Sequence, residues 1–112
     1  MPIIPITILT HKIWALVDSG ATFTVLGVDE AHRLGIDWQR GRRRMVVVGD
    51  GSFISVYMHT LVIHINAWEL TAPVGFSERL GVSFNLLGRT GVFNQLQVCF
   101  NDRTHCVTFQ KL

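Results

Sequence analysis

The stretch IWALVDSGATFTVL, residues 13–26, decides how this chain is read. Ile13 to Val17 is an unbroken apolar run of the kind that forms a buried strand, and Thr22 to Leu26 has the β-branched content of another. Between them stand a carboxylate, a hydroxyl and a glycine. Gly20 permits a tight turn or a positive φ directly where the first strand ends. Taken alone, Asp18-Ser19-Gly20 is an ordinary Asx or Ser turn, because such tripeptides are common. A carboxylate delivered by a buried strand is also the setting of a catalytic or ligand-binding group.

Working outward, residues 3–9 (IIPITIL) and 12–17 (KIWALV) flank a short turn at Thr10-His11 and predict a hairpin whose second strand carries Asp18. GVDEAHRLGI, residues 27–36, predicts one short helix, with Asp29 as its N-terminal cap and Gly35 just past its end. Within Arg44 to Ala67 the segment VGDGSF marks a hairpin tip with arms Met45–Val48 and Phe53–Tyr57. A long glycine-tipped hairpin is a candidate lid. Further strands are predicted at 60–66 and 68–76 about a turn at Asn66-Ala67. NLLGRTGVFNQL, residues 85–96, predicts a buried strand end, a glycine turn and a helix beginning near Thr90. QVCFNDRTHCVTFQ closes with two short alternating runs about a turn at 101–104.

The chain of 112 residues is one domain's worth, so 1–112 is expected to fold as a single mostly β domain. A hydrophobic fraction of 48% against 16% charge suits a compact β protein that hides surface in an oligomer. The net charge of +2 is too small to imply nucleic acid. The one basic cluster, Arg40-Gly41-Arg42-Arg43-Arg44, reads as a solvated loop or as a contact for a polyanion or acidic substrate. No apolar run reaches the ~18–20 residues of a membrane helix, and MPIIPITIL lacks the marks of a secretory signal. Two cysteines make no disulfide framework or zinc site, which favours a reducing, cytoplasmic setting.

ALVDSGATFTVL resembles the active-site strand of the retropepsin-like aspartic proteases, and NLLGRTGVF resembles that family's second signature, an apolar pair followed by Gly-Arg. VVVGDGSFISV, lying between them, is similar to the family's glycine-rich flap. The inserted DEAHRLGI looks more like the cellular and bacterial branches than the viral enzymes.

The resemblance implies a retropepsin-like fold with one lobe per chain and the chemistry of an aspartic endopeptidase. That chemistry needs two carboxylates around one water, one as base and one as acid. Asp29, Asp37, Asp50 and Asp102 lie outside any second Asp-Ser/Thr-Gly, so one chain holds half a site. A homodimer with its two-fold axis between two copies of Asp18 is therefore expected, acting on an extended peptide without metal or organic cofactor. The shared proton and coupled titration of such a dyad are properties of the family, and they favour activity at acidic to mildly acidic pH. The alternative reading is a dimeric peptide-binding or scaffolding module that keeps the fold without turnover.

By the same resemblance Asp18, Ser19 and Gly20 are the catalytic triplet, with Ser19 bonding across the dimer beneath the carboxylates. A serine-hydrolase role for Ser19 is disfavoured by the absence of a G-x-S-x-G around it. Ala21, Val25, Val47, Val48, Gly49, Asp50, Gly51, Ile54, Phe84 and Leu86 are the matched substrate-binding positions. Val25, Val47, Ile54, Phe84 and Leu86 are equally plausible core residues. Asp50 stands where viral flaps carry a small or apolar residue; it either points to solvent at the hairpin tip or favours basic substrate residues. Arg89 is assigned a structural role, since Thr22 and Phe23 stand where an acidic partner is usual. Cys99 and Cys106 fall opposite one another if Asp102-Arg103 is a two-residue turn, with burial as free thiols expected and a disulfide the alternative. His59 and His64, on opposite strand faces, do not suit a shared metal.

Overall fold

The computed structural model describes residues 2–47, 51–78 and 85–112. Strands β1 (Ile3–Ile8) and β2 (His11–Val17) form the expected hairpin, with Ile6 opposite Ile13 and the turn at Leu9-Thr10. Alternation sets which side of it is inside. Ile6 and Ile8 on β1, and Ile13, Ala15 and Val17 on β2, are fully buried, while Ile3, Trp14 and Lys12 face outward.

After the Asp18 turn come β3 (Thr24–Gly27) and a helix α1 (Val28–Leu34). Gly35 ends the helix at φ 71, as expected, its N–H donating to the His32 carbonyl at 3.2 Å. Asp29 does not cap it. The cap position is Gly27, whose N–H donates to Asn85 Oδ1 at 2.9 Å, so Asp29 lies within the first turn. There its charge opposes the positive end of the helix dipole.

Strands β4 (Arg42–Val47) and β5 (Phe53–Ile65) make the glycine-tipped hairpin, with Val47 opposite Phe53. The two runs expected at 53–57 and 60–66 are one strand. Met58 pairs with Arg42 on one side and with Gly75 on the other, so the ladder continues through the residues between the runs. β6 (Trp68–Ser77) follows after a turn in which Asn66 takes φ 53.

β7 (Asn85–Leu87) then threads between β2 and β3, parallel to β2 with Leu86 opposite Leu16 and antiparallel to β3 with Val25 opposite Leu86. The order β1-β2-β7-β3-β6-β5-β4 is joined on itself where Thr7 and Ile8 of β1 meet His64 and Ile63 of β5. The closed sheet wraps a core that includes Phe76, Leu26, Leu87, Ile63, Leu70 and Leu96. A smaller cluster of Val25, Val46 and Val56 lies apart from it, where the β4–β5 arm crosses β3.

The helix expected near Thr90 is a kinked turn, Arg89–Phe93, interrupted by Thr90 (ψ 124) and Gly91 (φ 79). Gly91 is wedged against β6, where a Cβ would lie 2.5 Å from that of Ala72. Close packing and a left-handed backbone break the helix there.

The chain ends in a separate two-stranded ribbon, β8 (Leu96–Asn101) with β9 (Cys106–Lys111). Its register corrects the expected pairing: Asn101 is opposite Cys106, and Cys99 is opposite Thr108. Asn101 Oδ1 accepts from the N–H groups of Arg103 (3.1 Å) and Thr104 (3.2 Å), which opens the turn to residues 102–105. Both cysteines are free and exposed rather than buried. They lie on the ribbon face with Gln97 and Asn101, opposite the face whose Val98 and Phe109 pack on the core.

Candidate active site

Asp18 follows directly on β2, and the place is held by backbone first. Its N–H donates to the Leu87 carbonyl on β7 at 3.0 Å, and its own carbonyl accepts from Ala21 N–H at 3.2 Å. The turn is therefore tight and tied to the threaded strand. Gly20 N–H donates to Asp18 Oδ1 at 2.9 Å, and the side chain is 7% exposed. Among the described residues no cation pairs with it. A carboxylate set this deep without a counter-charge is a poor choice for stability alone, because burial disfavours unpaired charge. Its free hydrogen-bonding capacity can bind and polarise a water.

The second signature is stitched to the first from Asn85 to Thr90. Arg89 N–H donates to the Ala21 carbonyl at 3.0 Å and Thr90 N–H to that of Thr22 at 2.9 Å. Gly88 N–H donates to the buried Thr24 Oγ1 at 3.0 Å. Gly88 has no room for a side chain: a Cβ would stand 2.3 Å from the Phe23 carbonyl carbon and oxygen. Asn85 adds a clamp across three strands, its Oδ1 accepting from Gly27 N–H and its Nδ2 donating to the Trp14 carbonyl at 3.0 Å.

Thr24 and Asn85 are the residues that sequence reasoning missed. A hydroxyl in an otherwise apolar strand and an amide just ahead of Leu86-Leu87 were the available signals, but their partners are distant in sequence.

Ser19 and Gly20 are exposed at the tip of the turn, and Ala21 is buried. Val25 and Leu86 are opposite one another and nearly fully covered, Val25 by the β4–β5 arm. Ile54 is half-buried on that arm, Val47 is exposed at 46%, and Gly51 is exposed at φ 84. Val48, Gly49, Asp50 and Phe84 lie outside the described residues. Arg89 Nη2 donates to Thr22 Oγ1 at 3.3 Å, so a hydroxyl stands where an acid is usual.

His59 Nε2 lies 2.9 Å from the Trp38 carbonyl and its ring meets Phe76 edge-on, whereas His64 is exposed. Among the described residues no group of His, Cys, Asp and Glu side chains could hold a metal ion. None of the described helices is long and apolar enough to cross a membrane.

A single closed β lobe with a threaded strand, offering one carboxylate on an Asp-Ser-Gly turn, defines the retropepsin-like class. The chain belongs to the aspartyl protease family, whose model matches residues 4–89. Among solved structures it is similar to a retropepsin-like aspartic protease from Rickettsia conorii, at 20% identity and TM-score 0.71, covering 96% of this chain and 88% of that one. It is also similar to EIAV protease complexed with the inhibitor HBY-793, at 20% identity and TM-score 0.61, covering 79% of this chain and 81% of that one. No curated protein matches the chain.

Proposed function

We propose that the protein is an aspartic endopeptidase that works as a homodimer, each chain contributing Asp18 to one dyad. The observation that carries this reading is the deeply set Asp18 carboxylate, which no cation pairs among the described residues and whose backbone N–H is tied to the Leu87 carbonyl of β7. One such carboxylate cannot both accept a proton from water and donate one to the peptide carbonyl. In the dimer the ionised Asp18 takes the water proton as the oxygen attacks the scissile carbonyl carbon, and the protonated one donates to the carbonyl oxygen. Collapse of the tetrahedral intermediate breaks the C–N bond as the carboxyl that took the water proton gives it to the leaving nitrogen and the other carboxylate regains a proton from a hydroxyl of the intermediate. Ser19, exposed beside each Asp18, bonds across the two-fold axis. Arg89 braces the turn through Thr22.

The β4–β5 arm closes over the substrate, with exposed Val47 and Gly51 and half-buried Ile54 as its contacts, while Val25 and Leu86 form the covered layer beneath it. The β8–β9 ribbon supplies dimer contacts. A two-stranded ribbon is marginal by itself, and Phe100 on its apolar face is 49% exposed.

The test is incubation with a peptide library across acidic to neutral pH, alongside Asp18→Asn and a pepstatin-type inhibitor, with sedimentation to read the oligomer. Cleavage by the wild type that is lost in the variant and blocked by the inhibitor supports the reading. Tight peptide binding by a dimer without cleavage would instead make the protein a peptide-binding module.

A further inference from the structure

The basic cluster that follows α1 is not absorbed by the dyad. Arg42 and Arg44 alternate with Arg43 along β4, opposite Met58 and Val56 of β5, and so share the arm face that carries Val46. They open onto a cleft of about 460 Å³ lined by Phe23, Arg42, Arg43, Arg44, Met58 and Pro73. Phe23 ends the turn that begins at Asp18, and its backbone is the one pressed against Gly88. Phe23 and Met58 of the cleft also pack on the Val25, Val46 and Val56 cluster, and Val25 is opposite Leu86 of the strand that holds the Asp18 turn.

The guanidinium of Arg44 lies over the Phe23 ring, 4.8 Å from its centroid. A guanidinium held over an aromatic ring keeps N–H donors that a carboxylate can accept from. Arg43 is turned the other way in part, donating through Nε to Ser55 Oγ at 2.9 Å. Among the described residues no carboxylate pairs with Arg42, Arg43 or Arg44, and the lining of the cleft contains no acid. Arg42 and Arg44, on one face with no carboxylate beside them, repel one another, which fold stability alone does not favour. The floor made by Phe23, Met58 and Pro73 is apolar. An apolar floor with a guanidinium rim is complementary to a short aliphatic stem that ends in a carboxylate.

We propose that this cleft is a specificity subsite that selects a glutamate or aspartate side chain of the peptide substrate, away from the scissile bond. The inference rests on the proteolytic reading of Asp18, and Arg42 and Arg44 are its specificity-determining residues. In a two-fold dimer the subsite occurs twice, so acidic residues are favoured on both sides of the cleaved bond.

The experiment compares peptides that differ only by Glu or Gln at each position flanking the cleaved bond, at about pH 6, where a peptide glutamate, titrating near 4.3, stays ionised. The wild type should prefer the Glu peptide at one position per side by about tenfold in kcat/KM, the scale of two exposed ion pairs. In Arg42→Gln/Arg44→Gln that ratio should fall towards one, and added salt should lower it in the wild type. Asp18-dependent cleavage with no Glu preference, or with a preference that survives the double variant, overturns the subsite and leaves proteolysis standing.

Should no peptide be cleaved, the proteolytic reading fails and binding decides the subsite. Calorimetry with the same Glu and Gln peptides on Asp18→Asn must still show the preference and its loss in the arginine double variant. Equal affinities overturn it. Tighter binding of a single-stranded oligonucleotide than of any Glu peptide also overturns it, assigning the arginines to a nucleic-acid surface.

Discussion

The base of the candidate site and the arm above it belong to one sheet but are built on opposite terms. At the base, Asp18, Ala21, Thr24, Leu86, Leu87 and Gly88 are all buried, and each link between the two signatures is a hydrogen bond between residues distant in sequence. On the arm, Val46 and Val56 are buried, while Met45, Val47 and Phe53 expose 55%, 46% and 67% of their surface. The base has no freedom left to give, whereas the arm has apolar surface still to be covered. A site that must hold a carboxylate fixed while admitting an extended chain needs both properties, in different places.

The sharpest way to break this contrast is at its centre. Asp18→Asn keeps the shape of the side chain and, in the proposed dyad, removes both the base and the shared proton. Peptide hydrolysis should fall by on the order of 10²–10⁴-fold, the usual scale of general acid–base catalysis. Thermal melting should hold or rise, since the amide oxygen can still accept from Gly20 N–H and the buried unpaired charge is gone. Retained hydrolysis would move the chemistry away from the base altogether.

Next in size is Gly88→Ala. The added methyl would meet the Phe23 carbonyl at 2.3 Å, and because the atoms it meets are backbone no side-chain rotation relieves the clash. Overpacking against backbone should cost about 3 kcal/mol or more, measured by urea unfolding, or leave no folded protein. Tolerance of this change would mean that the threaded strand is looser than its hydrogen bonds imply.

Thr24→Val is gentler. It preserves volume but removes the acceptor for the buried Gly88 N–H, and an orphaned buried donor costs about 1–3 kcal/mol. The same urea assay reads it, and a loss smaller than that would show water replacing the hydroxyl.

The contrast also explains what could be read from the sequence. Most of the strands were legible because alternation and β-branched runs are local signals, and Gly35 was legible as a helix end because its left-handed backbone is a local demand. The Asp-Ser-Gly turn was found as an interruption in an apolar run. The stitching was not legible: Thr24 meets Gly88, and Asn85 meets Gly27 and Trp14, only because β7 threads between β2 and β3. The helix expected near Thr90 failed for the same reason, since contact of Gly91 with Ala72 is a tertiary fact that overrides local propensity. In the terminal ribbon, a side-chain hydrogen bond of Asn101 moved the register and with it the cysteines.

The smallest expected change in stability tests the arm. Phe53 is two-thirds exposed opposite Val47, and β4 beside it is the last strand of the sheet. Replacing it by serine removes apolar surface that is two-thirds open to solvent. Phe53→Ser should therefore alter unfolding by no more than about 0.5 kcal/mol. If the arm closes over a bound peptide, the same ring becomes covered during turnover, so kcat/KM should fall while stability holds. A coupled loss of both would instead show that Phe53 already packs in the free subunit, and an unchanged kcat/KM would show that closure leaves this residue outside. Only the split between the two measurements identifies surface kept apolar for something that binds.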